Sequence, residues 1–226
     1  MSGTKLCDFA KSGPPVLAKR MHPAGGGIEI AVAGRGAASW RGLIIKYAAF
    51  AGLACAIAIA SLVAAPGTPG LLGSALGLLM LAIAIADLRS FIIPDGLTAA
   101  AFLLALVNST NESFESIPEN IAVAALRGLV LALAFFALRE IYFRLRHRHG
   151  IGLGDVKLAA AAGAWLDWSL IPVAIEIAAL TALTLYMASE IFRRRPLCAA
   201  AKLPFGLFFA PAIWFCWLLN AIYIKI

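Results

Sequence analysis

The chain has 226 residues, 62% of them hydrophobic and only 14% charged, with a formal net charge of +7. Soluble domains are about half apolar and about a quarter charged, so this composition excludes an ordinary soluble domain and points to a membrane protein. The apolar residues come in blocks rather than in strict alternation, which excludes a transmembrane β-barrel and predicts an all-α, polytopic helical bundle.

Residues 1–42 differ from the rest. Lys5, Lys11, Lys19, Arg20, Arg35 and Arg41 make them basic, and Gly25-Gly26-Gly27 makes them flexible. No apolar core lies near the start, so this is not a secretory signal peptide. No strand pattern precedes the triple glycine and no GK[ST] follows it, so it is not a phosphate loop. The stretch is expected to be a flexible basic cytoplasmic tail, ahead of a membrane domain over 43–226.

Seven apolar segments follow, over about 43–65, 71–86, 96–107, 121–137, 156–168, 170–191 and 204–223. A helix needs ~20 residues to cross a ~30 Å hydrocarbon core, so the third and fifth look short. At ~1.5 Å per residue they would span only ~18–20 Å, which predicts that their cytoplasmic ends lie in a wet, protein-lined hollow. Trp214, Trp217 and Tyr223 read as interface anchors. The 108–120 loop carries Glu112, Glu115 and Glu119 and no Lys or Arg. The tail, Arg89, the 139–149 stretch and the 193–202 stretch are basic. Basic loops stay cytoplasmic, which places the N-terminus inside. The positive charge is thus accounted for by topology and by contact with membrane lipid, and no nucleic-acid partner is expected.

Cys7, Cys55, Cys198 and Cys216 form no CxxC pair and have no metal-ligand spacing. Neither a disulfide nor a metal nor another cofactor is expected. His22, His147 and His149 lie in basic stretches, and no Ser/His pairing is in view.

Two aspartates stand out. Asp87, in Ala86-Asp87-Leu88-Arg89, ends the second segment, and Asp155, in Gly152-Leu153-Gly154-Asp155-Val156-Lys157, opens the fifth. A carboxylate beside a long apolar stretch is costly and marks a functional site. The charge rule puts both on the cytoplasmic side. Two such groups brought together cannot both ionise cheaply, so one keeps a proton and the pair can divide acid and base work. Gly152 and Gly154 are expected to let the backbone bend close to a substrate. They also set Asp155 at a helix N-terminus, whose dipole favours the anionic form and makes Asp155 the weaker candidate for the protonated partner. Pro94 is expected to start a helix and Asp95 to cap or charge its first turn. Lys157 either neutralises the pair or faces lipid headgroups.

The run from Asp87 through Ile93-Pro94-Asp95-Gly96, the Gly152–Lys157 motif and the stretch Leu203-Pro204-Phe205-Gly206-Leu207-Phe208-Phe209-Ala210 together resemble the type IV prepilin peptidase family of GxGD intramembrane aspartic proteases. Leu207 stands where that family's second proline often stands. The resemblance covers about residues 71–217. It implies that Asp87 and Asp155 are the catalytic pair and that the protein lies in the bacterial inner membrane. It implies that the substrates are prepilins or pseudopilins, cut after a glycine behind a short basic leader on the cytoplasmic side. It gives Arg89 a place near an acidic substrate segment, the alternative being a topology signal. Larger relatives carry a cysteine-rich insert and also methylate the new N-terminus; the missing CxxC pairs predict a peptidase only. The competing reading is a proton- or ion-coupled transporter, in which Arg127 and Glu176 would line a path. The oligomeric state is left open.

Overall fold

The computed structural model describes residues 34–111, 116–147, 152–193 and 204–223, with side chains from Tyr47 onward, Arg193 excepted. The expected tail over 1–33, the acidic residues 112–115 and the basic residues 194–203 lie outside the described residues.

The described residues form seven helices: α1 Gly34–Ala64, α2 Thr68–Ser90, α3 Asp95–Ser109, α4 Ile117–Arg146, α5 Leu153–Trp165, α6 Leu170–Arg193 and α7 Phe205–Tyr223. No strand occurs among the described residues. α1, α2, α4, α6 and α7 are each long and apolar enough to cross a membrane. α3 has 15 residues and α5 has 13. At ~1.5 Å per residue they reach only about 20–22 Å and fall short of a ~30 Å core.

Three of the helix ends run past the expected segments for one reason: polarity ends a membrane span without ending a helix. α1 begins at Gly34, inside the stretch expected to be a flexible tail to residue 42. α2 runs past Ala86 for another turn and stops at Phe91, whose left-handed backbone (φ 53°) turns its N–H onto the Asp87 carbonyl at 2.9 Å. Asp87 is therefore inside the last turn, not beyond it. α4 carries the basic stretch as regular helix to Arg146, helped by an Arg144–Glu140 pair one turn apart at 3.1 Å. His147, at φ 50°, caps it in the same left-handed way.

α5 is packed between α4 and α3, and α7 between α2 and α6. The α4–α5 contact is backbone on backbone. A Cβ at Gly163 would stand 2.6 Å from the Arg127 carbonyl oxygen, closer than any side chain tolerates. Small residues in this role let membrane helices approach and gain dispersion energy. The run Leu158, Ala159, Ala161 and Ala162 is buried on this helix, while Leu76, Met80, Ile83, Phe209 and Ile213 fill the α2–α7 side.

The tryptophans depart from the expected interface belt. Trp217 is buried and meets Trp165 edge-on at 6.5 Å, and Trp214 donates its indole N–H to Ser61 Oγ at 3.1 Å. Both bind helices together because each is turned inward, Trp217 through apolar and ring contact and Trp214 through its hydrogen bond. Trp165 likewise donates to the Ala101 carbonyl at 2.9 Å, tying α5 to α3. Tyr223 alone of the three expected anchors is exposed. Arg127, itself largely covered, pairs with the exposed Asp167 just beyond α5.

The tight α4–α5 contact yields a stability prediction. Gly163→Val should force these helices apart at a cost of about 1–3 kcal/mol. The check is the thermal midpoint of the detergent-solubilised protein, which should fall, whereas substitution at the exposed Leu133 should leave it in place.

Candidate active site

Three helix ends meet at the candidate site: the last turn of α2, the first turn of α5 and the first turn of α7. Asp87 projects from α2 and is 5% exposed. Its Oδ2 accepts the backbone N–H of Leu207, in the first turn of α7, at 2.9 Å. Asp155 lies in the first turn of α5, and its Oδ2 accepts the Gly152 N–H at 3.2 Å. This is the reciprocal bond that an acidic residue in a helix's first turn makes to the N-cap backbone.

Ile93 packs between the two arms. A Cβ at Gly154 would lie 3.0 Å from the Ile93 Cβ. One at Gly206 would lie 2.8 Å from the Ile93 Cδ1 and 2.9 Å from Asp87 Oδ2. Glycine at 206 is thus what lets the α7 backbone touch the carboxylate. Gly154 serves a similar close approach from within a regular helix, not a bend. Gly152 corrects the expectation of glycine-dependent flexibility at that position. Its φ of −74° and ψ of 152° suit any residue, and its contribution is a backbone donor.

The other expected residues lie to one side. Pro94 is the N-cap of α3, with extended backbone (φ −64°, ψ 131°), rather than its first helical residue. Asp95 opens α3, and its Oδ1 receives the Lys157 ammonium at 2.6 Å. Geometry pairs Lys157 with Asp95, a partner the sequence did not suggest, and so joins the starts of the two short helices. Both side chains are largely exposed, so the pair orients more than it stabilises. It borders an open groove of about 300 Å³ between α3 and α5, floored by Thr98, Ala99, Phe102 and Ala160. Arg89 is exposed in the last turn of α2.

Asp155 precedes the apolar body of α5 and lies outside the five long spans. Burial pushes its carboxyl from the usual 3.8 up to about 6, with the Gly152 N–H opposing and the charge of Asp87 adding to the rise. The geometric link between the two carboxyls is Ile93, which stands against both Gly154 and the Gly206–Asp87 contact. At Asp155 desolvation outweighs the backbone bond. Sequence reasoning assigned no role to Ile93, Gly206 or Leu207. Gly206 and Leu207 stood in a quoted motif, but their work depends on which helix end α7 meets. A proline at 207 would carry no N–H to donate, so the departure at Leu207 supplies the contact.

Fold and site together define a polytopic helical membrane protein with two carboxyls converging at helix ends. The chain belongs to the type IV leader peptidase family, whose model matches residues 74–187. It is 30% identical over 154 residues to the prepilin leader peptidase/N-methyltransferase of Escherichia coli K12, covering 67% of this chain and 63% of that protein. It is 35% identical over 150 residues to the protein of the same name from Dickeya chrysanthemi, covering 66% and 50%. It is 37% identical over 89 residues to the leader peptidase HopD of Escherichia coli, covering 39% and 57%. The matched region thus spans about half to two thirds of these relatives' length. No solved structure matches the chain significantly.

The raised Asp155 carboxyl has a consequence for stability. A group whose folded-state pKa lies above its unfolded value binds its proton more tightly when folded. Its stabilising contribution is complete below about 3.8 and is lost as pH rises to about 6. Asp155→Asn removes that pH-dependent loss. The variant should melt higher than the parent at pH 7.5, and the difference should shrink toward pH 4, as followed by thermal scans in detergent.

Proposed function

We propose that this protein is a membrane-embedded aspartic endopeptidase that removes the short basic leader of type IV prepilins or pseudopilins, cutting after glycine at the cytoplasmic face of the bacterial inner membrane. The observation that carries this reading is the convergence of two helix ends, bearing the buried Asp87 and the half-buried Asp155, on either side of Ile93. Family membership and the names of the relatives, prepilin leader peptidases, support the substrate class.

The chemistry follows from a pair that shares one proton. The ionised carboxylate takes a proton from a water as its oxygen attacks the scissile carbonyl carbon. The protonated partner hydrogen-bonds the carbonyl oxygen and transfers its proton there, giving a neutral gem-diol. On collapse the C–N bond breaks, the nitrogen takes a proton from the first carboxyl, and a gem-diol hydroxyl returns one to the second. The products are a new carboxyl end on the leader and a free amino end on the mature pilin. Burial serves this step twice, by holding the shared proton near neutrality and by strengthening each electrostatic contact.

The basic stretch on the final turns of α4 and the Arg89 end of α2 support a cytoplasmic position for the site, because both lie at the helix ends that flank it. The transporter alternative loses a principal element, since Arg127 is engaged with Asp167. The absence of CxxC pairs supports a peptidase without methyl transfer, in contrast to the relatives whose names include both activities.

Processing assays in proteoliposomes test this. Asp87→Asn and Asp155→Asn should each lower cleavage of a prepilin by at least about 10⁴-fold while inserting normally, because each removes a proton-transfer group. Asp95→Asn should keep activity within about tenfold, its pair with Lys157 being exposed. Full activity in either of the first two variants would sink the reading. A radiolabelled methyl donor should leave no label on the cleaved pilin, and stoichiometric incorporation would overturn the peptidase-only assignment.

A further inference from the structure

Asp87 faces an electrostatic difficulty of its own helix's making. It sits in the last turn of α2, where the carbonyl ends of the helix concentrate partial negative charge. A buried carboxyl there needs donors from elsewhere. The first turn of α7 is placed to supply one, since the first four N–H groups of a helix have no partner within it. Leu207 is the third residue of α7, and its N–H reaches Asp87 Oδ2 at 2.9 Å.

The donor is rigidly mounted. Phe205 stacks on Phe209 at 5.3 Å, and Phe209, fully buried, stacks on Phe135 of α4 at 5.8 Å. Gly206 brings the α7 backbone against Asp87 and Ile93, where a Cβ would not fit. The α7 entry is thus packed from α4 on one side and from the Asp87–Ile93 corner on the other.

Resting on the reading of Asp87 as one of the reacting carboxyls, we propose that Leu207 is a positioning residue for the reaction through its backbone. Its N–H anchors Oδ2 of Asp87 and so fixes the carboxyl plane that the water and the scissile carbonyl meet. A carboxyl torsion is otherwise broad and soft, and reaction geometry tolerates little wander. The side chain of Leu207 is incidental to this role.

The test removes the donor and spares the rest. Leu207→Pro deletes the N–H at a first-turn position where proline costs a helix no bond, and the preceding Gly206 has no Cβ to clash with the ring. Incorporating leucic acid at 207 exchanges the same N–H for an ester oxygen and keeps the side chain. Both are assayed with the full chain in proteoliposomes on a synthetic prepilin-type peptide, beside Leu207→Ala and Asp87→Asn. The expected result is a fall in kcat of about tenfold or more for the proline and ester variants, with KM within about twofold. Leu207→Ala, which retains the donor, should recover most of that kcat. Where the proline variant fails to insert, the ester variant decides. Wild-type kcat in the ester variant, a change confined to KM, or an equal loss in Leu207→Ala would each overturn the proposal while Asp87→Asn stays inactive. Activity in Asp87→Asn would instead defeat the underlying reading of the pair.

Discussion

A carboxyl removed from water must be met by donors or hold its proton, and the architecture around Asp87 and Asp155 is arranged about that constraint. Asp87 is almost wholly buried at the carbonyl end of one helix, and it is answered by the amino end of another. Asp155 is answered by the amino end of its own helix, through Gly152. Helix amino termini are where backbone donors are free. Those of α5 and α7 therefore meet the end of α2 at one spot, and the neighbouring elements are shaped to let them approach.

That gathering explains several features that look unrelated along the chain. α3 and α5 are too short to cross the bilayer, which lets their starts sit at the level of the carboxyls. Lys157 and Asp95 join those starts, so the two short helices are tied where the site is built. Gly154 and Gly206 both stand against Ile93, a side chain wedged between the arms carrying Asp155 and Asp87. At the far end, Arg127 and Asp167 tie α4 to the exit of α5. The short α5 is thus held at both ends and along its length by the Gly163 contact with α4.

Such a site carries a stability cost as part of its function. Burial holds Asp155 near 6, in a range where a shared proton can be gained and lost under ordinary conditions. The packing of Leu158 and Phe209, within a turn of Asp155 and of Leu207, supplies rigidity beside the carboxyls despite that cost. The chemistry proposed above uses the same desolvation that the fold has to oppose.

The number of helices, their all-α character, the two short members and the prominence of both aspartates were legible in the residues, because each rests on local signals. Apolar block length sets a span, Pro and Gly punctuate it, and a lone acid beside a greasy run stands out. Helix ends were less legible, as at Arg139–Arg146, because charge halts a membrane crossing without breaking backbone hydrogen bonds. The partners were not legible at all. Whether Lys157 faced the acid pair, the lipid or Asp95, whether Trp217 lay at the interface or in the core, and whether any backbone reached Asp87 depended on how helices distant in sequence pack. The sequence by itself determined which groups were costly to bury; only the tertiary structure decided what met them, because a hydrogen bond from residue 207 to residue 87 exists only once α7 has docked on α2.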